Sequence, residues 1–420
     1  MTAPGGKFYI QDQLSQKAPH HESFQQLWET KWKQPCLMGV YPFMFGAIQD
    51  FEPIVDRLVK EGQKEPYDWD AYAAAFAPKA GELTKRAEAA EQAGNKEEAS
   101  ELFLRASAVH RISRFPYPRS PLQRTAWRSG IATALRGLAL APYPVVEVSI
   151  PYTRATSAES PTIPAFHHLP ATASASSPAP CVLILTGLDG YRTELAVWCR
   201  GWAEVGVATL VMEIPGTGDC PADSSDPQAA ERMFNSVLEW TRAQEGIDSG
   251  KLAVWGFSTG GYQTIRLAHT HPDDFKGFVA HGGGCHFMFE REWLVASQTG
   301  EYPFDLGSTL GRKFGYGDDF EGFMKEGKAK WSLLEDGTLE KRCGRLLLVN
   351  GMEDSIFPVD DYFLACEVGQ PKELRLVRGK KHMGEPESFG VILKWIYALF
   401  GIEKDPREQL KTLPFKAKYP

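Results

Sequence analysis

The sequence predicts an α/β fold in which helices cover both faces of a mostly parallel sheet, preceded by a helical domain. Short, almost wholly apolar segments alternate with amphipathic helical segments from residue 181 onwards. Apolar strands separated by helices are typical of a parallel sheet that is buried on both faces. Residues 1–142 lack such strands and carry helical periodicity instead.

The N-terminal part is predicted to be a helical cap domain over residues 1–142. Residues 83–113 have the apolar spacing of two helices, interrupted at Gly94. Pro121, which follows a serine, is typical of the first turn of a capped helix, and this helix is predicted to end near Leu140.

The remaining residues, 143–420, are predicted to form the catalytic domain. Apolar and polar residues alternate at 146–150, which predicts a half-buried strand. Segment 284–342 breaks the alternation of strands and helices, and we interpret it as an insertion over the edge of the sheet. The apolar strands are predicted at residues 181–185, 207–214, 252–255, 277–280, 345–349 and 373–377.

Composition excludes several classes of function. The chain has 46 Lys and Arg against 53 Asp and Glu, a net charge of −7, and no basic block. We therefore expect no nucleic-acid partner and no anionic membrane partner. No apolar run approaches the roughly 20 residues of a transmembrane helix. Residues 1–13, MTAPGGKFYIQDQ, lack the regions of a secretory signal.

The cysteines indicate reduced thiols in a cytoplasmic protein. They are widely spaced, odd in number and form no C-x-x-C pair. The sequence also has no H-E-x-x-H motif and no Cys/His cluster, and PGTGD at 215–219 lacks the third glycine of a dinucleotide loop. We therefore expect neither a metal nor a cofactor. The seven cysteines are Cys36, Cys181, Cys199, Cys220, Cys285, Cys343 and Cys366.

The strongest chemical signal is a G-x-S-x-G segment centred on Ser258. It follows the apolar strand LAVW and precedes the helical segment YQTIRLAHT. A serine between a strand and a helix in this pattern is typical of a nucleophile elbow. Side chains at the flanking positions would collide with the neighbouring strand and helix, so glycines leave the hydroxyl exposed. Ser258 is therefore the candidate nucleophile.

A nucleophilic serine needs a base that is held by an acid, and in this fold the chain order is serine, acid, histidine. Asp354 follows the strand at 345–349 and is the candidate acid, with Glu353 as the neighbouring alternative. Asp360 and Asp361 open the next helix, where capping is the simpler interpretation. His382 lies in a glycine-bracketed loop after the last strand and is the candidate base.

Backbone amides must stabilise the negative oxygen of a tetrahedral intermediate. One is expected at Thr259, and the other in the turn TGLDGY, at Leu188 or Asp189. The Asp189 carboxylate, Tyr191 and His281 are candidates for binding the substrate. For Asp189, a turn-forming role before glycine is an equal alternative. Aromatic residues of the insertion are further candidates for pocket walls: Phe287, Phe289, Trp293, Tyr302, Phe304, Phe314, Tyr316, Phe320 and Trp331.

With these residues in this order behind a helical domain, the chain resembles the α/β-hydrolases. More narrowly, it resembles the group with a helical N-terminal cap that includes the fermentation–respiration-switch proteins and the bacterial pseudooxynicotine hydrolases. LTGLDGYRTE and GFSTGG are most similar to the fungal "yellowish-green" proteins of melanin pigment biosynthesis. That resemblance implies hydrolysis of a carbon–carbon bond in an aromatic polyketide. A heptaketide naphthopyrone would give 1,3,6,8-tetrahydroxynaphthalene and acetoacetate.

Two other functions stay open at this point. A carboxylesterase of the same fold acting on a small acyl ester would use the same serine, base and oxyanion hole. A binding or regulatory protein on a hydrolase scaffold is the third candidate, and the complete triad argues against it. The sequence also leaves open a homodimer, and whether the serine forms an acyl intermediate or water attacks directly.

Overall fold

An eight-stranded sheet lies at the centre of the molecule, in the order β1-β2-β4-β3-β5-β6-β7-β8. The computed structural model describes residues 21–414; the segment 1–13, on which the expectation of no secretory signal rests, lies outside them. The strands are β1 Val146–Pro151, β2 Thr162–His168, β3 Ala179–Leu185, β4 Ala208–Met212, β5 Ile247–Phe257, β6 Gly277–His281, β7 Leu346–Gly351 and β8 Glu373–Val377.

The predicted parallel sheet is confirmed for β3 to β8, which all run parallel. Every residue of β4, β6 and β7 is buried, as expected for strands covered on both faces. The sequence analysis missed β2, which pairs antiparallel with β1 and β4. Pro164 lies inside β2, and a proline argues against a strand when only the sequence is considered.

Seven helices of the described residues precede the sheet. The predicted hairpin is present, and its break at Gly94 has a left-handed φ of 80°. Ser120 caps the long helix α7, and the Ser120 and Gln123 side chains form a reciprocal capping box. These helices are α1 Phe24–Leu27, α2 Lys33–Met38, α3 Ile48–Lys60, α4 Trp69–Ala74, α5 Ala77–Gln92, α6 Lys96–Arg114 and α7 Pro121–Leu140, with a π-helical turn at Trp28–Trp32.

Further helices follow between and after the strands. The insertion between β6 and β7 contributes three of them, α12 to α14. In chain order they are α8 Arg192–Leu195, α9 Val197–Glu204, α10 Ala229–Arg242, α11 Thr259–Thr270, α12 Arg291–Ser297, α13 Leu306–Lys313, α14 Phe320–Trp331, α15 Asp360–Glu367, α16 Glu387–Phe400 and α17 Pro406–Lys411. Within residues 21–414, no helix is both long and apolar enough to cross a bilayer.

The core lies on both faces of the sheet. One face packs on α9 and α16 around three fully buried tryptophans, Trp198, Trp202 and Trp255. The other continues into the insertion and the N-terminal helices. Most insertion aromatics belong to this core: the Phe314 ring lies 5.0 Å from that of Phe289 and 5.2 Å from that of Trp331. These ring contacts stabilise the insertion.

Candidate active site

Ser258 lies at the sharp turn between β5 and α11. Its φ of 53° and ψ of −121° lie outside the ordinary helical and extended regions. A non-glycine residue with positive φ is strained, and such strain concentrates at functional sites. The Ser258 amide donates to the carbonyl of His281 at 2.7 Å, which holds the turn against the end of β6.

The glycines around Ser258 are required by contacts with neighbouring backbone. A Cβ atom on Gly256 would lie 2.3 Å from the carbonyl oxygen of Gly260. One on Gly260 would lie 2.4 Å from the carbonyl oxygen of Thr186, and one on Gly261 2.7 Å from the amide of Gly283. Side chains at these positions would force backbone apart, which is the collision expected from the G-x-S-x-G pattern.

The structure brings Ser258, His382 and Asp354 into one chain of hydrogen bonds. His382 Nε2 lies 2.9 Å from Ser258 Oγ, and His382 Nδ1 lies 2.8 Å from Asp354 Oδ2. Since a carboxylate can only accept, Nδ1 carries the proton and Nε2 is free to accept from the serine. Burial lowers the pKa of His382, but the charge and hydrogen bond of Asp354, together with the charges of Glu301 and Glu385, raise it above its ordinary value.

Asp354 is fully buried and bound from several sides. Its Oδ1 accepts from the amides of Ile356 at 2.7 Å and Phe357 at 3.1 Å. Its Oδ2 accepts from Asn350 Nδ2 at 2.7 Å as well as from His382. Glu353, the alternative acid, is exposed. The geometry therefore favours Asp354 as the partner of the histidine.

Asn350 was missed by the sequence analysis. It joins the loop that carries Asp354 (residues 352–359, the acid loop) to the loop that carries His382 (residues 378–386, the base loop). Its Oδ1 accepts from the amide of Met383 at 2.8 Å, while its Nδ2 binds Asp354. The signal for it is its place at the end of β7, four residues before Asp354. Side chains at the carboxyl ends of parallel strands meet at one edge of the sheet.

Asp361 does more than open a helix. Its buried carboxylate accepts from the amides of His286, Phe287 and Met288 at 2.7, 2.7 and 3.0 Å. Burial raises the pKa of Asp361 to about 6. Asp361 thus fixes the start of the insertion and is separate from the three-residue chain.

The turn TGLDGY at residues 186–191, which we call the oxyanion loop, lies directly beside Ser258. A Cβ atom on Gly187 would lie 3.1 Å from Ser258 Cβ. Thr259 is the first residue of α11, so its amide has no partner within the helix. Within residues 21–414, the amides of Leu188 and Asp189 donate to no other group. All three amides are therefore available for an oxyanion.

The Asp189 carboxylate, which the sequence predicts to bind the substrate, is hydrogen-bonded by two tyrosines. It accepts from the hydroxyl of Tyr41 at 2.5 Å and from that of Tyr302 at 2.7 Å. Burial raises the pKa of Asp189. Through these two bonds the carboxylate joins its loop to the N-terminal part of the chain and to the insertion. Tyr41 and Tyr302 carry no sequence signal for this contact, since they are distant from Asp189 along the chain.

Tyr191 and His281, the other two residues predicted to bind the substrate, are both buried. The Tyr191 ring is fully buried, with the Arg114 guanidinium 3.7 Å and the Trp127 ring 4.8 Å from its centre. The His281 ring is fully buried, and its Nε2 lies 2.7 Å from the carbonyl oxygen of Met383. Burial lowers the pKa of His281 to about 3, so this ring is neutral and supports the base loop.

The mostly parallel sheet, its helical layers and the elbow at Ser258 define a hydrolase of the α/β-hydrolase fold. Within that class, the chain belongs to the FrsA-like esterase family, which matches residues 72–396. Esterase FrsA of Photobacterium profundum is 25% identical over 335 residues, covering 79% of this chain and 75% of the relative. Esterase FrsA of Vibrio cholerae is 26% identical over 226 residues, covering 52% of this chain and 53% of the relative.

Solved structures share the fold. The 2,6-dihydroxy-pseudo-oxynicotine hydrolase superposes with a TM-score of 0.66 at 17% identity, covering 86% of this chain and 97% of the other. AbyA5 superposes with a TM-score of 0.61 at 20% identity, covering 79% and 91%. The relatives are bacterial esterases, so the comparisons support the esterase family and not the narrower fungal group.

Proposed function

We propose that the chain is a carboxylesterase that cleaves a small acyl ester at Ser258. The observation that carries this proposal is the continuous hydrogen-bond chain from Ser258 Oγ through His382 to Asp354, at 2.9 and 2.8 Å. These distances suit proton transfer from the hydroxyl to the imidazole. Membership of the FrsA-like esterase family supports the same reaction class.

The first half-reaction forms an acyl-enzyme. His382 Nε2 takes the proton of Ser258 as Oγ attacks the ester carbonyl. The carbonyl oxygen becomes negative and accepts from the amide of Thr259 and from an amide of the loop at Leu188 or Asp189. When the intermediate collapses, the C–O bond to the alcohol breaks, and His382 returns the proton to the leaving oxygen.

The second half-reaction releases the acid. Water gives a proton to His382 Nε2 and attacks the acyl carbon, and the bond to Ser258 Oγ breaks as the proton passes back to the serine. Asp354 holds Nδ1–H throughout and stabilises the imidazolium. Its own hydrogen bonds from Asn350, Ile356 and Phe357 keep the carboxylate in that position.

A second candidate is hydrolysis of a carbon–carbon bond in an aromatic polyketide. It is supported by the resemblance of the segment LTGLDGYRTE to the fungal polyketide-shortening proteins. Ser258 would attack a side-chain ketone, and the ring carbon would leave as a carbanion that takes the proton of His382. Water would then release acetoacetate from the serine. Direct attack by water, with the serine handling a proton, is the alternative route.

Product identification separates the two candidates. Purified full-length protein is incubated with aryl acetates and, separately, with a heptaketide naphthopyrone. The esterase proposal expects hydrolysis of the acetates and an unchanged naphthopyrone. Formation of 1,3,6,8-tetrahydroxynaphthalene and acetoacetate would favour the second candidate. Absence of turnover together with absence of fluorophosphonate labelling would favour a non-catalytic scaffold.

A further inference from the structure

A short segment of the insertion, Gly300 to Tyr302, connects four parts of the molecule. Lys31, from the π-helical turn of the N-terminal helices, donates to the carbonyls of Gly300, Glu301 and Tyr302 at 3.1, 3.2 and 3.2 Å. The Tyr302 hydroxyl donates to Asp189 in the oxyanion loop at 2.7 Å. One ammonium thus fixes three consecutive carbonyls beside the oxyanion loop.

Glu301, in the same segment, contacts both the acid loop and the base loop. Its amide donates to Ser355 Oγ at 3.1 Å, and Ser355 follows Asp354 directly. Its carboxylate Oε2 accepts from Ser355 Oγ and from the backbone amide of His382, each at 3.4 Å. The carboxylate is therefore held between the residue after the acid and the base itself.

The charges that face His382 come from several elements. Asp354 and Glu301 are acidic neighbours, and Glu385, three residues along the base loop, is a third. Burial raises the pKa of Glu301, and burial raises that of Glu385 to about 7. Lys381 and Lys31 are basic neighbours of Glu301, and burial lowers the pKa of Lys31 to about 8. His281, on β6, is neutral. The acidic neighbours favour the charged imidazolium.

We propose that Glu301 is a positioning residue of the hydrolytic site, holding the base loop through the His382 amide and placing a second negative charge beside the imidazolium. This inference rests on the proposed role of His382 as the base. Asp354 binds Nδ1 of the ring from the loop after β7, whereas Glu301 binds the backbone amide of His382 from the insertion. The insertion thereby contributes to proton transfer as well as covering the sheet.

Charge removal at Glu301 gives the decisive test. Fluorophosphonate labelling of Ser258 is followed from about pH 5 to pH 9 in wild type and in Glu301→Gln. Loss of a nearby negative charge should lower the pKa of His382. The acid limb of the profile, the pH range in which labelling slows as His382 becomes protonated, should therefore move to lower pH by about 0.5 unit or more. Glu321→Gln is the matched control, because Glu321 is an exposed insertion residue paired with Arg291. Its acid limb should coincide with wild type.

An unmoved acid limb in Glu301→Gln would overturn the proposal, even if the rate falls, because a merely structural residue changes the rate alone. If Glu301→Gln does not fold, the same labelling experiment is carried out with Glu301→Asp. Aspartate keeps the charge but is too short for the His382 amide, so labelling should slow while the acid limb stays in place. Labelling as fast as wild type would overturn the positioning role. Absence of labelling in wild type at every pH would instead overturn the proposed function itself.

Discussion

The guanidinium of Arg114 and the carboxylate of Glu194 form an ion pair that is completely buried between the N-terminal helices and the sheet. Arg111 Nε lies 3.3 Å from the same carboxylate. Arg114 also donates to the carbonyl of Asp189 at 2.6 Å. The oxyanion loop is therefore held by Arg114 of the N-terminal helices, and the charge of Arg114 is balanced by Glu194 of α8.

Glu194→Gln should destabilise the protein strongly. The amide keeps the size of the side chain but leaves two arginines buried without their counter-charge, which costs about 3–5 kcal/mol when a buried pair is broken. Urea unfolding gives the free-energy difference. Glu239→Gln is the control, since its pair with Arg154 is half-exposed and surface ion pairs contribute little to stability. Equal losses for the two variants would contradict the prediction.

Ser258→Ala should abolish hydrolysis and fluorophosphonate labelling while the fold stays intact. The hydroxyl at the elbow supplies the attacking atom, and its only described side-chain partner is His382 Nε2. Turnover of aryl acetates measures the loss, and the melting temperature checks the fold. Activity within about tenfold of wild type would exclude Ser258 as the nucleophile.

Asp354→Asn should reduce kcat by about 10⁴-fold. An amide can present its NH₂ group to Nδ1 and so favour the tautomer in which Nε2 carries the proton and cannot accept the serine proton. Glu353→Gln is the natural control, because Glu353 is the neighbouring residue but is exposed. Steady-state kinetics of both variants provide the measurement. If Asp354→Asn left kcat unchanged while Glu353→Gln lowered it, Glu353 would be the acid that holds His382.

Activity should fall as pH decreases through a value above 6.5, the ordinary pKa of histidine. Burial lowers the pKa of His382, but Asp354, Glu301 and Glu385 together raise it above that value. Protonated His382 cannot accept the serine proton, so activity is present above this pKa and lost below it. The pH dependence of kcat/KM with an aryl acetate measures the midpoint. A midpoint at or below pH 6.5 would contradict the prediction.

The sheet and the order of the three central residues could be predicted because their signals are local. An apolar strand, a glycine-flanked serine and a helix occupy consecutive residues around Ser258, and Asp354 and His382 follow strands at the same edge. Strand position does not show which way a side chain turns. The sequence therefore could not predict that Tyr41 and Tyr302 bind the Asp189 carboxylate. It also could not predict that the His281 ring contacts the backbone of Met383.

Other features depend on contacts between residues that are far apart along the chain. Nothing in the sequence near Lys31 indicates that its ammonium binds the carbonyls of residues 300–302. Glu301 lies in a segment without a motif, and only the folded chain brings its carboxylate to the His382 amide. β2 was missed for a different reason. Pro164 lies inside this strand, and a proline argues against a strand when only the sequence is considered. The sequence does not show that β2 pairs antiparallel with β1.

Removal of the N-terminal helices should destroy activity. A chain that begins near Pro144 would lose Arg111 and Arg114 and leave Glu194 buried without a counter-charge. It would also lose the bonds of Lys31 to the insertion. We therefore expect the truncated chain to be insoluble, or soluble but inactive on ester and polyketide substrates.

Two further features oppose independent movement of these helices. Only residues 141–145 separate α7 from β1, which leaves little freedom for a hinge. The Tyr41 hydroxyl binds Asp189 beside the nucleophile, so the loop that carries the oxyanion amides loses a support when Tyr41 is removed. Solubility, the melting temperature and fluorophosphonate labelling of the truncated chain measure the outcome against the full-length protein. A well-folded and fully active truncation would show that the active site lies wholly within the sheet and its insertion.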